Sequence, residues 1–400
     1  MEPNSGRIVT FYSYKGGTGR SMALANFAWI LAASGKKVLV IDWDLEAPGL
    51  HRYFRPFLVD PDLFETDGLI DSFWDFATFS IPLATSGKAN TDPRKDELAA
   101  QALDENKRRL NWDFVTGGYI DFICAGKQDA TYSQRVNTFD WKRFYELGGP
   151  RLISLAKAQM RSHYHYHWVL IDSRTGVSDT SGICTMEMPD TVVACFTLNR
   201  QSIEGVHGIL GSIREFRSST VDGSKITFYP LATRIENAES DRLEVARGHS
   251  RSQLARFLPK AFQDKPRDYR DRMEVAYRSF YAFEEVLVAF GDATGATGAS
   301  DTMLAQVEKT AQCIAGDDKL QMPEILDQDR EQVLAKYSFV GEVPKRSRPA
   351  KEADAEETSD AGDPEFLRGV LAKEQVWRAS KFNWHLLLSR RELDLIRPED

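Results

Sequence analysis

The chain predicts an α/β fold: a doubly wound, mostly parallel sheet with helices on its faces and a helical C-terminal extension. Three observations carry the prediction. A β-branched and aromatic run, Arg7-Ile8-Val9-Thr10-Phe11-Tyr12, passes through a glycine-rich turn into an apolar helical run, Met22 to Ala33, that stops at Gly35. Two further apolar runs, Lys36 to Ile41 and Trp168 to Ile171, each end in aspartate. Strands that alternate with helical patterns read as βαβ units, whose chemistry gathers at the carboxyl ends of the strands.

The first turn reads Tyr14-Lys15-Gly16-Gly17-Thr18-Gly19-Arg20-Ser21. Its glycines let backbone N–H groups close on phosphate oxygens with no Cβ in the way. The helix that follows points its positive end at the same place, and Ser21 stands where a hydroxyl can ligate Mg²⁺. A standard phosphate loop reads G-x-x-x-x-G-K-[ST]; here Tyr14 takes the first glycine position, Arg20 the lysine position, and Lys15 comes early. The second strand opens into Asp42-Trp43-Asp44-Leu45-Glu46-Ala47-Pro48-Gly49. Carboxylates at a strand end beside a phosphate loop lie where metal and water chemistry needs them, although D-x-D also caps turns. Gly68 to Phe76 reads as a helix inside an insertion spanning about 60–112, whose charged part, 84–108, reads as surface. Tyr119 to Cys124 alternates as a strand and 140–160 is helical in pattern. The strand at Trp168 leads into Asp172-Ser173-Arg174-Thr175-Gly176. Thr191 to Leu198 and Lys225 to Leu231 follow as strands, the last ending in Ala232-Thr233-Arg234.

These motifs, in this order, resemble the deviant Walker A ATPases of the ParA/MinD family, x-K-G-G-x-G-K-[ST], in a KGGVGR-motif variant subgroup met in bacterial conflict and defence systems. The resemblance spans residues 6 to about 240 and, more loosely, to about 315. It implies a P-loop NTPase of the SIMIBI type that binds ATP and Mg²⁺, dimerises on Mg-ATP and hydrolyses ATP slowly to control a partner. Carried over by position, Gly16, Gly17, Thr18, Gly19, Arg20, Ser21 and Met22 cradle the nucleotide. Lys15 reaches the phosphates of a partner subunit, Arg20 serves the nucleotide in cis, and Asp44 orients the attacking water. Ser21, Asp42 and Asp172 form the metal set. Trp168 to Gly176 looks like Walker B with switch II, so Gly176 lets backbone approach the terminal phosphate. Arg174 either touches phosphate or pairs with a carboxylate. Thr233 and Arg234 match residues near the adenine. Two other readings stand beside the ATPase. One is a nucleotide-binding scaffold or sensor with little hydrolysis, because a guanidinium is broader than the ammonium it replaces. The other is a bacterial tyrosine-kinase-like protein, against which the tail carries no tyrosine after Tyr337.

Composition agrees with a globular chain: 400 residues, 42% hydrophobic, 28% charged, net charge −8. The acidic balance weighs against nucleic-acid binding, yet 241–280 holds ten Lys/Arg against six Asp/Glu. That run fits a non-specific DNA grip or, better with the acidic whole, a solvated helix face. Cys124, Cys184, Cys195 and Cys313 are scattered, with no C-x-x-C pair, which fits a cytoplasmic protein. No N-terminal signal precedes the first strand, and no apolar run reaches membrane-spanning length. His163-Tyr164-His165-Tyr166-His167 alternates, but with no acid or thiol spaced to it; it reads as a polar entrance to the next strand. The expected organisation is an ATPase domain over 1–315, a helical extension over 316–340, a linker over 341–364 too polar to order itself, and a C-terminal helix over 365–400. Glu284 to Phe290 reads as core helix and 293–300 as a flexible turn. Phe382, Leu386, Leu393 and Ile396 share a stripe of the last helix. Glu392, Asp394, Glu399 and Asp400 dilute its basic face, so it reads as a helix that docks onto a partner or onto the protein's own body more than as a membrane contact.

Overall fold

The computed structural model describes residues 6–85, 105–162, 166–176, 182–219, 225–236, 240–292 and 302–337. The expected turn at 293–300, the linker and the C-terminal helix therefore lie outside the described residues, as do His163 and His165 and most of the charged stretch 84–108. The chain divides into a unit at Met1–Val340 and a second at Gly341–Asp400.

In the first unit, strand β1 (Arg7–Ser13) leads to helix α1 (Arg20–Ala33), and β2 (Lys37–Asp42) to α2 (Leu50–Phe54) and α3 (Leu69–Thr85). Then come β3 (Arg108–Arg109), β4 (Tyr119–Ile123), α4 (Tyr132–Thr138), α5 (Trp141–Glu146), α6 (Gly149–Ser162) and β5 (Trp168–Asp172). The rest is β6 (Thr191–Phe196), α7 (Arg200–Ser219), β7 (Thr227–Ile235), α8 (Ser240–Leu254), α9 (Pro266–Arg272), β8 (Glu274–Ala276), α10 (Ser279–Glu284), α11 (Val288–Gly291), α12 (Met303–Ala315) and α13 (Asp327–Tyr337).

The sheet has eight strands in the order β3-β4-β2-β5-β1-β6-β7-β8. All neighbours are parallel except the short edge pair β3–β4. The chain winds from β1 towards β2 in one direction and later from β6 in the other, so the order reverses at β1. A parallel sheet covered on both faces needs strands buried on both sides, which is why these runs are continuously apolar rather than alternating. Val38 and Val40 of β2 face the α1 layer, while Leu39 and Ile41 face the layer of α3 and α6. Helix α1 is buried from Met22 to Ala33 and so has no polar stripe; α7 keeps one, burying Ser202, Ile203, Val206, Leu210 and Ile213 under its inner face.

The structure refines several expectations. The helix at Gly68 begins at Leu69 and runs to Thr85, with Phe73 and Phe76 in the core. The 140–160 pattern is two helices, α5 and α6, parted by Leu147 and Gly148; the chain turns at Gly148, where φ is 102°. Strand β7 runs on to Ile235, so Thr233 and Arg234 lie within the strand instead of after it. Glu284 to Phe290 is not one helix: Glu285 takes a left-handed conformation, φ 50°, and separates α10 from the buried turn α11. Among the described residues no helix is long and apolar enough to cross a membrane, and all four cysteines are buried and free.

Candidate functional site

The site lies where the strand order reverses, at the carboxyl ends of β1, β2 and β5, the place where open α/β sheets form a crevice. Register brings Phe11 beside Asp172 and Asp42 beside Asp172, so the ends of the three strands are level. The loop 14–19 turns back over β1 into α1. Gly17 and Gly19 both take positive φ, 71° and 81°, a conformation that side chains resist, and a Cβ at Gly16 would meet open space.

The loop is tied down from β7. Thr233 Oγ1 donates to the carbonyl of Thr18 at 2.5 Å, and Arg234 Nη1 to that of Gly17 at 2.6 Å. Arg234 itself has φ 55° and stacks its guanidinium 4.7 Å from the Tyr277 ring centre. Those two bonds fix the loop's backbone from the carbonyl side.

Arg20, at the start of α1, is buried. Its Nε donates to Asp172 at 2.5 Å and its Nη2 to Asp44 at 2.7 Å. Ser21 Oγ donates to the other oxygen of Asp172 at 2.6 Å. Arg20, Ser21, Asp44 and Asp172 therefore form one cluster. Asp42 is fully buried beside it but turned to backbone: its oxygens accept from the N–H groups of Asp44 and Leu50, both at 3.2 Å. Burial, then the nearness of Asp172 and Asp44, pushes the Asp42 carboxyl well above the usual carboxylate range. Burial also raises Asp172, against the opposing pull of Arg20 and Ser21.

Three buried polar atoms at the site have no partner: Ser13 Oγ, Thr18 Oγ1 and Arg20 Nη1. Buried donors are rarely left unsatisfied, so these atoms fit an anionic ligand on the loop. The cluster of Ser21 with Asp172 fits a hydrated cation. Among the described residues, however, no three His, Cys, Asp or Glu side chains are gathered as a metal cage.

Other expected residues fall around this cluster. Lys15 is half-buried at the loop's edge, with no ion pair among the described residues. Met22 is buried in the core beneath the loop. Gly176 takes φ 75°; its carbonyl accepts from Tyr12 and its N–H donates to Ser13. Arg174 pairs with Glu46 at 2.5 Å, the carboxylate alternative. In the basic run, Arg247 is held by Glu274 and Glu244, as a solvated and locally neutralised face requires. His167 accepts the Lys37 N–H on Nδ1, at the entrance to β5.

Sequence reasoning missed three contributors. Tyr14 packs so closely on α7 that a Cβ at Gly205 would lie 2.2 Å from its ring; the signal was a glycine inside a helical pattern. Tyr132 donates to the Leu45 carbonyl at 2.6 Å and pins the segment after Asp44. Tyr277 supports Arg234. Neither Tyr132 nor Tyr277 stands in a local pattern that points to the loop.

Comparison with known proteins matches residues 9–359 to the family described as the CobQ/CobB/MinD/ParA nucleotide binding domain. The cytosolic Fe-S cluster assembly factor CFD1 of Yarrowia lipolytica is 25% identical over 146 residues, 34% of this chain and 46% of that protein. The factor NUBP2 of Gallus gallus is 30% identical over 155 residues, 38% of this chain and 55% of that one. The chain thus spans about half the length of the curated relatives it matches. Among solved structures, the septum site-determining protein MinD of Pyrococcus horikoshii with Mg-ADP is 17% identical, with a TM-score of 0.44, covering 79% of this chain and 97% of that one. The McdA–ATP complex of Cyanothece is 12% identical, with a TM-score of 0.49, covering 79% and 99%.

Proposed function

Because the chain belongs to the CobQ/CobB/MinD/ParA nucleotide-binding family, we propose that it is an ATP-driven switch that hydrolyses ATP slowly and pairs with a second copy while ATP is bound. The observation that carries the reading is the cluster of Arg20, Ser21, Asp44 and Asp172 beneath a glycine loop whose carbonyls are already engaged. Loop N–H groups bind the phosphates. Ser21 and Asp172, with Asp42 behind them, would hold Mg²⁺, which supplies neutralisation of phosphate charge when bound. Asp44 orients water, and Arg20 and Lys15 offset the charge that develops on the phosphates. Control of a partner, in a defence system or elsewhere, is the output of such a switch.

One observation favours a second reading, a scaffold that binds nucleotide with little turnover. Arg20 grips the same Asp44 that the ATPase needs for water. A single set of measurements separates the two. Gly17→Val should abolish ATP binding by calorimetry, because its side chain would stand where the phosphate lies; wild-type affinity in that variant would defeat both readings. Asp44→Ala should bind ATP but lose turnover. Wild-type turnover no higher than that of Asp44→Ala leaves the scaffold.

A further inference from the structure

Helix α1 begins on a cation. Arg20 is its first residue, the first turn holds no acid, and Gly19 before it supplies no side-chain cap. The positive end of a helix disfavours a cation, and burial disfavours it further; Arg20 is 6% exposed. Two carboxylates hold it there. Asp172 Oδ1 accepts from Nε at 2.5 Å and Asp44 Oδ2 from Nη2 at 2.7 Å. Ser21 Oγ donates to Asp172 Oδ2, while Asp42 gives its two oxygens to the backbone N–H groups of Asp44 and Leu50. Both oxygens of Asp172 and of Asp42, and one of Asp44, are therefore engaged within the chain. One guanidinium bridges Asp44 and Asp172, so a single cation in its place would meet both.

We propose that the Arg20 guanidinium fills the seat of the divalent cation until phosphate arrives, so that this chain takes up metal only with nucleotide or after it. The proposal rests on the switch reading above. A guanidinium and a divalent cation on the same two buried carboxylates repel each other strongly, because little solvent screens them. Arg20 thus works as an internal counter-cation, and it must turn aside before a metal ion can sit between Ser21 and Asp172.

The exchange has a driving side. Among the described residues Arg20 Nη1 is buried with no partner, as are Thr18 Oγ1 and Ser13 Oγ. A phosphate oxygen gives Nη1 an acceptor and offers the guanidinium a second anion whose geometry suits its fork. Turning towards phosphate releases Asp172 for the cation, with Ser21 beside it, and releases Asp44 for water. A magnesium site of this kind needs only one or two carboxylates, since water and phosphate complete the shell. The two basic states of the site then exclude each other: Arg20 on the carboxylates without nucleotide, Arg20 on phosphate with it.

The test titrates the full chain with Mn²⁺ in the absence of nucleotide and reads the loss of the free-ion signal by electron paramagnetic resonance. Arg20→Ala should bind Mn²⁺ about tenfold or more tightly than the wild type. Adding Asp172→Asn to Arg20→Ala should abolish the gain. Mg²⁺ should raise the melting temperature of Arg20→Ala and leave that of the wild type unmoved, since a ligand of the folded state alone stabilises it. Where Arg20→Ala does not fold, Arg20→Gln, which keeps a polar side chain without the charge, takes its place. Equal Mn²⁺ affinity in the wild type and a folded variant, or a gain that survives Asp172→Asn, would overturn the proposal. A wild type that binds no nucleotide by calorimetry, with Mg²⁺ present, sinks the switch reading and leaves the Mn²⁺ result standing. One that binds nucleotide, yet takes up Mn²⁺ equally well without it, does the reverse.

Discussion

Arg20 is the residue on which the site turns. Its fork gives Nε to Asp172 and Nη2 to Asp44 and keeps Nη1 buried and unpaired. An ammonium carries its three donors on one atom and has no planar fork to reach the two carboxylates from separate nitrogens. Arg20→Ala leaves two buried carboxylates without their cation and should cost about 3–5 kcal/mol. Arg20→Lys should cost less, about 1–3 kcal/mol, because one carboxylate keeps a partner. Denaturant unfolding at fixed pH measures both, and an Arg20→Ala chain as stable as the wild type would show that the pairs carry no net stability. His51 gives a second expectation. Burial lowers it from 6.5 to about 4 in the folded chain. Between those values the unfolded chain binds more protons, so stability falls as pH drops from about 6.5 towards 4, by at most about 1.4 kcal/mol per pH unit. His51→Gln should flatten that slope in urea unfolding across the same range; an unaltered slope would assign it to other groups.

At the scale of elements, α7 carries a glycine that propensity alone would remove. Gly→Ala inside a helix usually gains about 1 kcal/mol. At Gly205 the new methyl would lie 2.2 Å from the Tyr14 ring, so Gly205→Ala should instead destabilise by about 1–3 kcal/mol and weaken ATP binding by shifting the head of the loop. Thermal melts with calorimetry decide it, and a gain in stability would mean that Tyr14 turns aside freely. The same contrast explains what was legible beforehand. Strands β1, β2 and β5, and the aspartates that end β2 and β5, are legible in the sequence because buried parallel strands are continuous apolar runs and their turns are written locally. The break at Glu285, the extension of β7 through Thr233 and Arg234, and the double grip of Arg20 depend on groups distant in sequence. Local pattern carries no trace of those approaches. For Arg174 the local pattern offers phosphate and carboxylate alike, and only the approach of Glu46 decides between them.

At the scale of the whole molecule, helix α13 closes on the N-terminal half, with Tyr337 donating to the Tyr53 carbonyl at 2.6 Å. The proposed pairing of two copies is tested through Lys15, which stands at the loop's edge with no ion pair among the described residues. Lys15→Ala should bind ATP nearly as the wild type does yet fail to dimerise with a slowly hydrolysed analogue, read by light scattering. A wild type that stays monomeric with ATP at high concentration would defeat the pairing. Thr233 and Arg234 hold the carbonyls of Thr18 and Gly17 from outside the loop. Two bonds from β7 leave the loop less to rearrange on association than a free loop would have. Capture of nucleotide is therefore expected as a single step whose rate rises in proportion to concentration, and a plateau in stopped-flow mixing would show that the loop closes after binding. For the proposed switch, the residence time of the nucleotide, and not the folding of its cradle, would then be the clock that sets its state.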